Sequence, residues 1–270
     1  DRLRSRGLGD VYKRQLWYRG KTRTHKVEVK TISELKPNDR YQFIFLTVRE
    51  NQVEEALEDI SKNKSPNVVT MVNTIKPYGR WEKICGKGRI LPAFPGAGGC
   101  IEGGILDAQL LPRAIQPTTF GEIGGRKSSR EEALAYIFRK SHIPYQIVPE
   151  MHHWQISHLG VIIPLADAYY QSRHPEKICA NEKLMTLTAY RMKKNLKWIA
   201  QKGMLCPAKL YMIKDMPTGM LAGVLSRVYQ SEFGNKFLYR HAMHAPEEFQ
   251  RLHQEFYNYM KTHTKESNKA

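Results

Sequence analysis

The sequence predicts an α/β domain as far as Pro149 and an all-α domain after it. Two short apolar runs in the first half, Tyr41–Val48 and Asn67–Val72, have the composition of strands that are buried on both faces. Between them lies Val53–Ile60, whose apolar residues recur at helical spacing. Strands that alternate with helices in this way indicate a parallel sheet covered by helices.

The other elements of the first domain follow from shorter patterns. Residues 18–31 mix basic side chains with alternating apolar ones, which predicts one or two exposed strands. Residues 128–140 form a predicted helix, because Ser128 or Ser129 supplies an N-cap ahead of Glu131. Three further runs complete the predicted sheet: Arg89–Leu91, Thr118–Ile123 and Tyr145–Val148.

The pattern changes to long helical segments after Pro149. The last of these segments has one apolar helical face, formed by Phe249, Leu252, Phe256 and Met260. No strand-like run follows Pro149, so we place the domain boundary there and assign residues 150–270 to the helical domain. The predicted helices are Met151–Tyr170, Asn181–Lys202 and Glu247–Thr262.

The first residues of the chain have a different origin from the rest. Residues 5–15 read as the translation of a transposon-based sequencing adapter, in which TCT-CGT-GGG-CTC-GGA encodes Ser5–Gly9 and GAT-GTG-TAT-AAG-AGA-CAG encodes Asp10–Gln15. We therefore exclude residues 1–15 from the fold prediction and expect a junction at Leu16, with further coding sequence missing upstream. A natural basic N-terminal arm is the alternative.

The charge balance is strongly basic, at +17 for the 270 residues. Leaving out residues 1–15 removes five basic and two acidic residues and leaves +14. Such a balance implies an anionic partner, such as a phosphorylated cofactor, an anionic metabolite or nucleic acid. The densest stretch, residues 190–197, is more typical of a solvated helix face than of a nucleic-acid surface, and the chain carries no nucleic-acid recognition motif.

Cysteine usage and hydropathy exclude two further classes of protein. The four cysteines, Cys85, Cys100, Cys179 and Cys206, lie far apart and form no Cys-x-x-Cys pair, so the sequence does not support a zinc site. We expect reduced thiols in the cytosol. No apolar run reaches membrane-spanning length, and we therefore expect a cytoplasmic protein with no membrane partner.

Polar side chains follow both buried runs of the predicted sheet. Arg49 and Gln52 come after the first run, and Asn73 comes after the second. Ligands of doubly wound sheets bind at the carboxyl ends of the strands. Arg49 there can pair with a phosphate, while Gln52 and Asn73 can bond a ribose, an amide or a carbonyl. A surface charge and a turn residue explain the same pattern equally well.

A glycine-rich stretch, Phe94–Gly99, resembles a phosphate-binding loop only superficially. Gly96 and Gly98 fit the dinucleotide pattern, but Ile101 stands where its third glycine belongs. The stretch therefore predicts a tight, close-packed turn.

Histidines concentrate at the start of the second domain, at His152, His153 and His158. Their spacing does not match the His pair of a zinc protease helix. His158 falls four residues after Trp154, on the same helical face, where packing and catalysis are both open roles.

The order of these elements resembles the ketopantoate reductase family (2-dehydropantoate 2-reductase and its relatives). The residues that carry the resemblance lie, in order, at Phe45–Arg49 with Gln52, Asn73, Phe120–Gly124, Trp154, Pro164–Ala168 and His244–Glu248. The resemblance implies an α/β Rossmann-like domain, truncated here, followed by an all-α domain. It also implies a cytosolic enzyme in which NADPH reduces a small anionic 2-keto acid, and a homodimer is among the assemblies it allows.

The resemblance also assigns roles to the strand-end residues. It implies that Arg49 and Gln52 bind NADPH and that Asn73 lies near the nicotinamide and the substrate. The family's Gly-x-Gly-x-x-Gly signature is absent, which we attribute to loss of an opening strand–helix–strand unit at the junction before Leu16. We expect the chain to lack the pyrophosphate cradle for the same reason.

One departure from the family is not explained by truncation. The family's general acid is a lysine two residues after the tryptophan, and this position is Ile156 here. The asparagines expected further along the helix are replaced around Gly160 and Pro164. We therefore name His158 as the first candidate for proton donor. The rival interpretation is a catalytically degenerate NADP-binding or sensor protein on the same fold.

Overall fold

The structure is a computed structural model that describes residues 12–19, 24–102 and 105–267. The chain divides into two compact units. The first comprises the chain up to Pro149 except for the segment Asn73–Pro77. The second comprises that segment together with the residues from Glu150 onward.

The first unit is an α/β domain. Its elements in chain order are β1 (Tyr12–Arg19), β2 (Thr24–Thr31), β3 (Ile44–Leu46), α1 (Val53–Ser61), β4 (Val68–Met71), α2 (Gly79–Cys85), β5 (Ile90–Phe94), β6 (Ala97–Glu102), β7 (Ile105–Leu110), β8 (Thr118–Phe120), α3 (Ser129–Lys140) and β9 (Tyr145–Ile147). The predicted α1, β4, β5, β8, α3 and β9 are all present.

Five strands form the main sheet, in the order β3-β4-β5-β8-β9. The strands β3, β4 and β5 are parallel, and β9 is parallel to β8. However, β8 runs antiparallel to β5. The expectation of an entirely parallel sheet is therefore wrong, and the sheet is mixed.

A second sheet has the order β2-β1-β7-β6. The predicted exposed strands at residues 18–31 form its β1–β2 hairpin, and β1 already begins at Tyr12, within the residues assigned to the adapter. The strands β6 and β7 were not predicted, because a glycine-rich strand such as β6 carries no apolar alternation.

The strand β3 corrects another expectation. We predicted a strand buried on both faces over Tyr41–Val48, whereas β3 covers only Ile44–Leu46 and is the outermost strand of the described sheet. Its Phe45 is 42 % exposed, while Leu46 is buried. Continuous apolar sequence can also occur in an edge strand that has one covered face.

In the helices of this unit, the apolar residues that recur at helical spacing are the buried ones. The stripe Val53, Leu57 and Ile60 of α1 packs with Trp81 of α2, which is fully buried. Helix α3 begins as predicted, because the Ser128 side chain accepts a hydrogen bond from the backbone N–H of Glu131.

The second unit is helical. It contains α4 (Met151–Gln171), α5 (Glu182–Gln201), α6 (Lys209–Asp215), α7 (Thr218–Gln230), a π-helical turn (Gly234–Tyr239), α8 (Arg240–His244) and α9 (Pro246–Ser267). The three long predicted helices are confirmed as α4, α5 and α9, whereas the shorter α6, α7 and α8 were not predicted.

One large apolar cluster holds the helical unit together. Ile156 and Leu159 of α4, Leu196 of α5 and Phe256 of α9 are each fully buried in it. Of the predicted apolar face of α9, Phe249, Leu252 and Phe256 are buried, and Met260 packs against the cluster. At about 25 cal/mol per Å² of buried apolar surface, side chains of this size contribute roughly 2 kcal/mol each.

Candidate functional site

Arg49 and Gln52 lie together immediately after β3 in the first unit. The Arg49 backbone N–H donates to Oε1 of Gln52 at 3.3 Å, and the Gln52 N–H donates to the Arg49 carbonyl at 2.9 Å. Both side chains are exposed. The guanidinium of Arg49 therefore faces solvent at the carboxyl end of a parallel strand, where it is available to an anionic ligand.

Glu50 anchors this segment, a role that the sequence analysis missed. Its carboxylate is almost fully buried and accepts from the Arg80 guanidinium at 2.6 Å. The same guanidinium also donates to Glu54 at 2.7 Å and lies over the Trp81 ring. The turn between β3 and α1 is thus fixed to α2, which holds the backbone of Arg49 and Gln52 in place.

Asn73 follows β4, and its segment Asn73–Pro77 is part of the helical unit. The Thr74 hydroxyl accepts from the Lys76 backbone N–H at 3.1 Å, and the Ile75 carbonyl lies 2.8 Å from Nε2 of His152 in the first turn of α4. Ile75 itself is buried in the helical core. Because β3 and β4 are parallel, the carboxyl ends of these two strands lie at the same edge of the sheet.

The side-chain oxygen of Asn73 is the polar atom here that most clearly indicates a ligand. It is buried, and it has no hydrogen-bond partner among the described residues. A buried acceptor without a partner costs about 1–3 kcal/mol. An N–H or O–H donor on a bound molecule would remove that cost.

Lys76 and Glu255 form an ion pair beside this segment, and neither was selected from the sequence. Nζ of Lys76 lies 2.7 Å from Oε1 of Glu255 on α9. Pattern analysis missed the pair because 179 positions separate the two residues, and only the fold brings them together.

The predicted proton donor, His158, packs against Trp154. The two rings are stacked, with centroids 5.0 Å apart and planes within 8°, as their spacing on α4 predicts. Burial, with a smaller contribution from the nearby His241, lowers the pKa of His158 to about 3. The imidazole is therefore neutral at neutral pH.

His158 lies on a different face of α4 from the one that contacts the segment carrying Asn73. His152, which contacts that segment, lies six residues earlier on α4, so the two side chains point about 120° apart around the helix. The structure thus brings Arg49 together with Gln52 in one unit. It does not bring His158 to the side of α4 that receives Asn73–Pro77.

The face of α4 that includes position 156, where the family has a lysine, is buried against α5. Ile156 is fully buried, and a Cβ added at Gly160 would lie 2.7 Å from Cδ1 of Ile199 on α5. Asn195 of α5 donates to the Gly160 carbonyl at 3.2 Å. An ammonium group at position 156 would therefore be placed in an apolar core.

The glycine-rich stretch was predicted to be a turn, but only Pro95 and Gly96 connect two strands, and Ala97–Gly99 begin strand β6. A Cβ at Gly96 would lie 2.2 Å from the backbone nitrogen of Thr118, and one at Gly99 would lie 2.2 Å from the Asp107 carbonyl oxygen. The Gly96 N–H donates to the Thr118 hydroxyl at 3.0 Å. These contacts explain the glycines without a phosphate.

Among residues 12–19, 24–102 and 105–267, no group of His, Cys, Asp and Glu side chains could hold a metal ion. No helix in the same residues is both long and apolar enough to cross a bilayer. Cys85, Cys179 and Cys206 are free thiols.

Comparison with known proteins identifies the architecture. Residues 3–122, less than half of the chain, match the family model described as Ketopantoate reductase PanE/ApbA. No curated protein sequence matches the chain.

Solved structures match over nearly the whole chain. The 2-dehydropantoate 2-reductase of Geobacter metallireducens GS-15 is 14 % identical, with a TM-score of 0.59 over 95 % of this chain and 89 % of that one. A ternary structure of D-mandelate dehydrogenase with NADH and anilino(oxo)acetate is 14 % identical, with a TM-score of 0.50 over 92 % and 85 %. The dimeric ketopantoate reductase of Staphylococcus aureus is 11 % identical, with a TM-score of 0.57 over 93 % and 88 %. At these identities the likeness shows the fold, a Rossmann-like domain followed by a helical one.

Proposed function

We propose that the chain is a member of the ketopantoate reductase family and part of a cytoplasmic oxidoreductase that reduces a small anionic 2-keto acid, such as 2-dehydropantoate, with NADPH. The observation that carries this proposal is the buried side-chain oxygen of Asn73, which has no hydrogen-bond partner among the described residues. The family match over residues 3–122 includes Asn73 and Arg49.

The residues present fit a dinucleotide cofactor. The exposed guanidinium of Arg49 suits a phosphate, and Gln52 beside it suits a ribose hydroxyl. The buried oxygen of Asn73 suits an N–H of the nicotinamide carboxamide or a substrate hydroxyl. The cofactor would supply the hydride, while the chain would bind, orient and exclude water around the reacting groups.

NADPH is favoured over a partner macromolecule by the chemistry of the strand ends and by the positive charge of the chain. The D-mandelate dehydrogenase structure contains NADH and an oxo acid analogue, and it shares this fold. The Staphylococcus aureus protein is dimeric, which supports a homodimer here.

The second candidate function is a catalytically degenerate NADP-binding or sensor protein. Ile156 favours it, because the position that holds a lysine in the family is filled by a fully buried apolar side chain. This alternative predicts cofactor binding without turnover.

The test is NADPH oxidation by the protein, measured with a panel of small 2-keto acids. Asn73→Leu removes the acceptor and should lower kcat/KM by about 10- to 100-fold, which corresponds to 1.4–2.7 kcal/mol. The exposed Asn51→Ala is the matched control and should leave kcat/KM unchanged. NADPH binding without oxidation in the unmodified protein would contradict the reductase and support the sensor.

A further inference from the structure

We propose that Lys76, held by Glu255, contacts the carbonyl oxygen of the keto acid and donates the proton that completes its reduction. This inference rests on the proposed function, which requires a proton donor. It assigns that role to Lys76 in the segment Asn73–Pro77, as an alternative to His158 on α4.

Lys76 has a fixed position in the turn that follows Asn73. It lies three residues after Asn73, in a turn closed by the bond from its own N–H to the Thr74 hydroxyl. The contact between Ile75 and His152 fixes this turn to the first turn of α4. The lysine is therefore held on the same rigid segment as the buried acceptor of Asn73.

The carboxylate of Glu255 positions the ammonium of Lys76. Glu255 receives Nζ of Lys76 on Oε1, while its other oxygen, Oε2, is buried and has no hydrogen-bond partner among the described residues. Glu255 is 20 % exposed and Lys76 is 41 % exposed at the side chain. The Lys76 side chain is thus partly accessible to solvent while its ammonium is paired with Glu255.

Two buried oxygen atoms near Lys76 have no hydrogen-bond partner among the described residues. Two buried acceptors, Oδ1 of Asn73 and Oε2 of Glu255, belong to the residues that flank Lys76 in sequence or in space. Acceptors of this kind suit the hydroxyl groups of a polar ligand, and the ammonium suits its carbonyl or carboxylate oxygen. A small hydroxylated keto acid carries all of these groups.

The other basic groups near this segment are less suited to donate a proton. Nε2 of His152 is engaged by the Ile75 carbonyl, and burial lowers the pKa of this histidine. Burial lowers the pKa of His158 to about 3, and its side chain points about 120° from that of His152 around α4. The ammonium group of Lys76 carries only N–H donors and has no acceptor atom.

The proton transfer balances as follows. A bound nicotinamide cofactor would supply the hydride that forms the new C–H bond at the carbonyl carbon. The C=O π pair would move onto oxygen, which would take a proton from Nζ of Lys76. One N–H bond would break, one O–H bond would form, and the neutral amine would regain a proton from solvent.

The experiment compares two ligands that differ only in the carbonyl, 2-oxo-3-methylbutanoate and 3-methylbutanoate. Their binding to the full chain is measured by calorimetry or ligand-observed NMR. Lys76→Met should weaken binding of the oxo acid about tenfold and binding of the plain acid less than twofold, and Lys76→Arg should recover part of the loss. Lys62→Met, at an exposed lysine paired with Asp59, is the matched control and should change neither affinity.

The outcomes separate this inference from the proposed function. An equal loss for both acids, or no loss for either, overturns the role of Lys76 while the unmodified chain still binds the oxo acid. If the unmodified chain binds neither acid, the proposed function itself is contradicted, and this inference falls with it. Thermal unfolding of each variant shows whether a lost affinity reflects a lost fold.

Discussion

Nδ1 of His253 lies 2.9 Å from Oδ2 and 3.0 Å from Oδ1 of Asp167, so one imidazole ring connects α9 to α4 across the helical unit. Burial raises the pKa of the Asp167 carboxyl, and the hydrogen bond and charge of His253 oppose that rise. The Asp167 side chain is 12 % exposed and His253 is 42 % exposed. The pair is therefore a contact between helices rather than an isolated surface ion pair.

Removing the histidine should destabilise the helical unit. His253→Leu leaves a mostly buried carboxylate without its main hydrogen-bond donor, and we expect the free energy of unfolding in urea to fall by about 1–2 kcal/mol. The matched control is His174→Leu, because His174 is 76 % exposed and lies 3.5 Å from Glu176. That change should cost less than about 0.5 kcal/mol, and an equal loss in both variants would contradict the structural role of the Asp167 pair.

The buried histidine predicts a pH dependence of stability. The pKa of His158 falls from an unfolded value near 6.5 to about 3 in the folded chain, so the unfolded chain binds more protons between these values. Its contribution to stability is complete above pH 6.5 and is lost as pH falls towards 3. We expect His158→Asn to reduce the slope of unfolding free energy against pH by about 1.4 kcal/mol per pH unit in this range.

The measurement is urea unfolding of both proteins at several pH values between 7 and 4.5. Burial also lowers the pKa of His152 and His241, and both residues are present in the two proteins, so the difference between the slopes reports the replacement of His158. Identical slopes would show that folding does not lower the pKa of His158, which would contradict a buried, neutral imidazole.

Glycines on two helices should respond in opposite directions to substitution. Gly160 faces Ile199 across the α4–α5 contact, so Gly160→Leu should cost more than about 2 kcal/mol. Gly219 and Gly223 of α7 have no atom within 4 Å of an added Cβ. Substituting either of these by Ala should stabilise the chain by about 0.5–1 kcal/mol through helix propensity. Thermal unfolding of the three variants checks the prediction, and a stabilising Gly160→Leu would contradict the packing of α4 on α5.

Arg89 should contribute strongly to the stability of the first unit. Its guanidinium donates to the carbonyls of Cys85 at 2.7 Å, Asn63 at 2.9 Å and Ser65 at 2.8 Å, and so it joins the ends of α1 and α2 to the strand β5. Arg89→Met leaves these acceptors without a donor and should lower the unfolding free energy by about 2–4 kcal/mol. The exposed neighbour Lys87→Met should have little effect. Urea unfolding of both variants measures the two losses of unfolding free energy, and equal losses would contradict the role of Arg89.

The sequence correctly predicted the helices that have a long apolar stripe or a clear N-terminal capping residue. The stripe of α1, the capping box at Ser128 and the apolar face of α9 each specify a helix from neighbouring residues alone. The direction of β8 and the edge position of β3 were not predictable in this way, because strand pairing depends on residues far away in the chain.

The candidate site was predicted in part for the same reason. Arg49, Gln52 and Asn73 follow apolar runs and can be selected by inspection. Glu50, Lys76 and Glu255 matter because of partners that only the fold supplies. The spacing of His158 from Trp154 places both residues on one helical face, but it did not reveal that their rings stack or how far burial lowers the pKa of the imidazole.

NADPH oxidation in the presence of small 2-keto acids tests the central claim most directly, since the claim is that this chain belongs to a dinucleotide-dependent reductase. The account predicts that the protein oxidises NADPH and that Asn73→Leu lowers kcat/KM by about 10- to 100-fold. NADPH binding without oxidation by any 2-keto acid would contradict the reductase assignment.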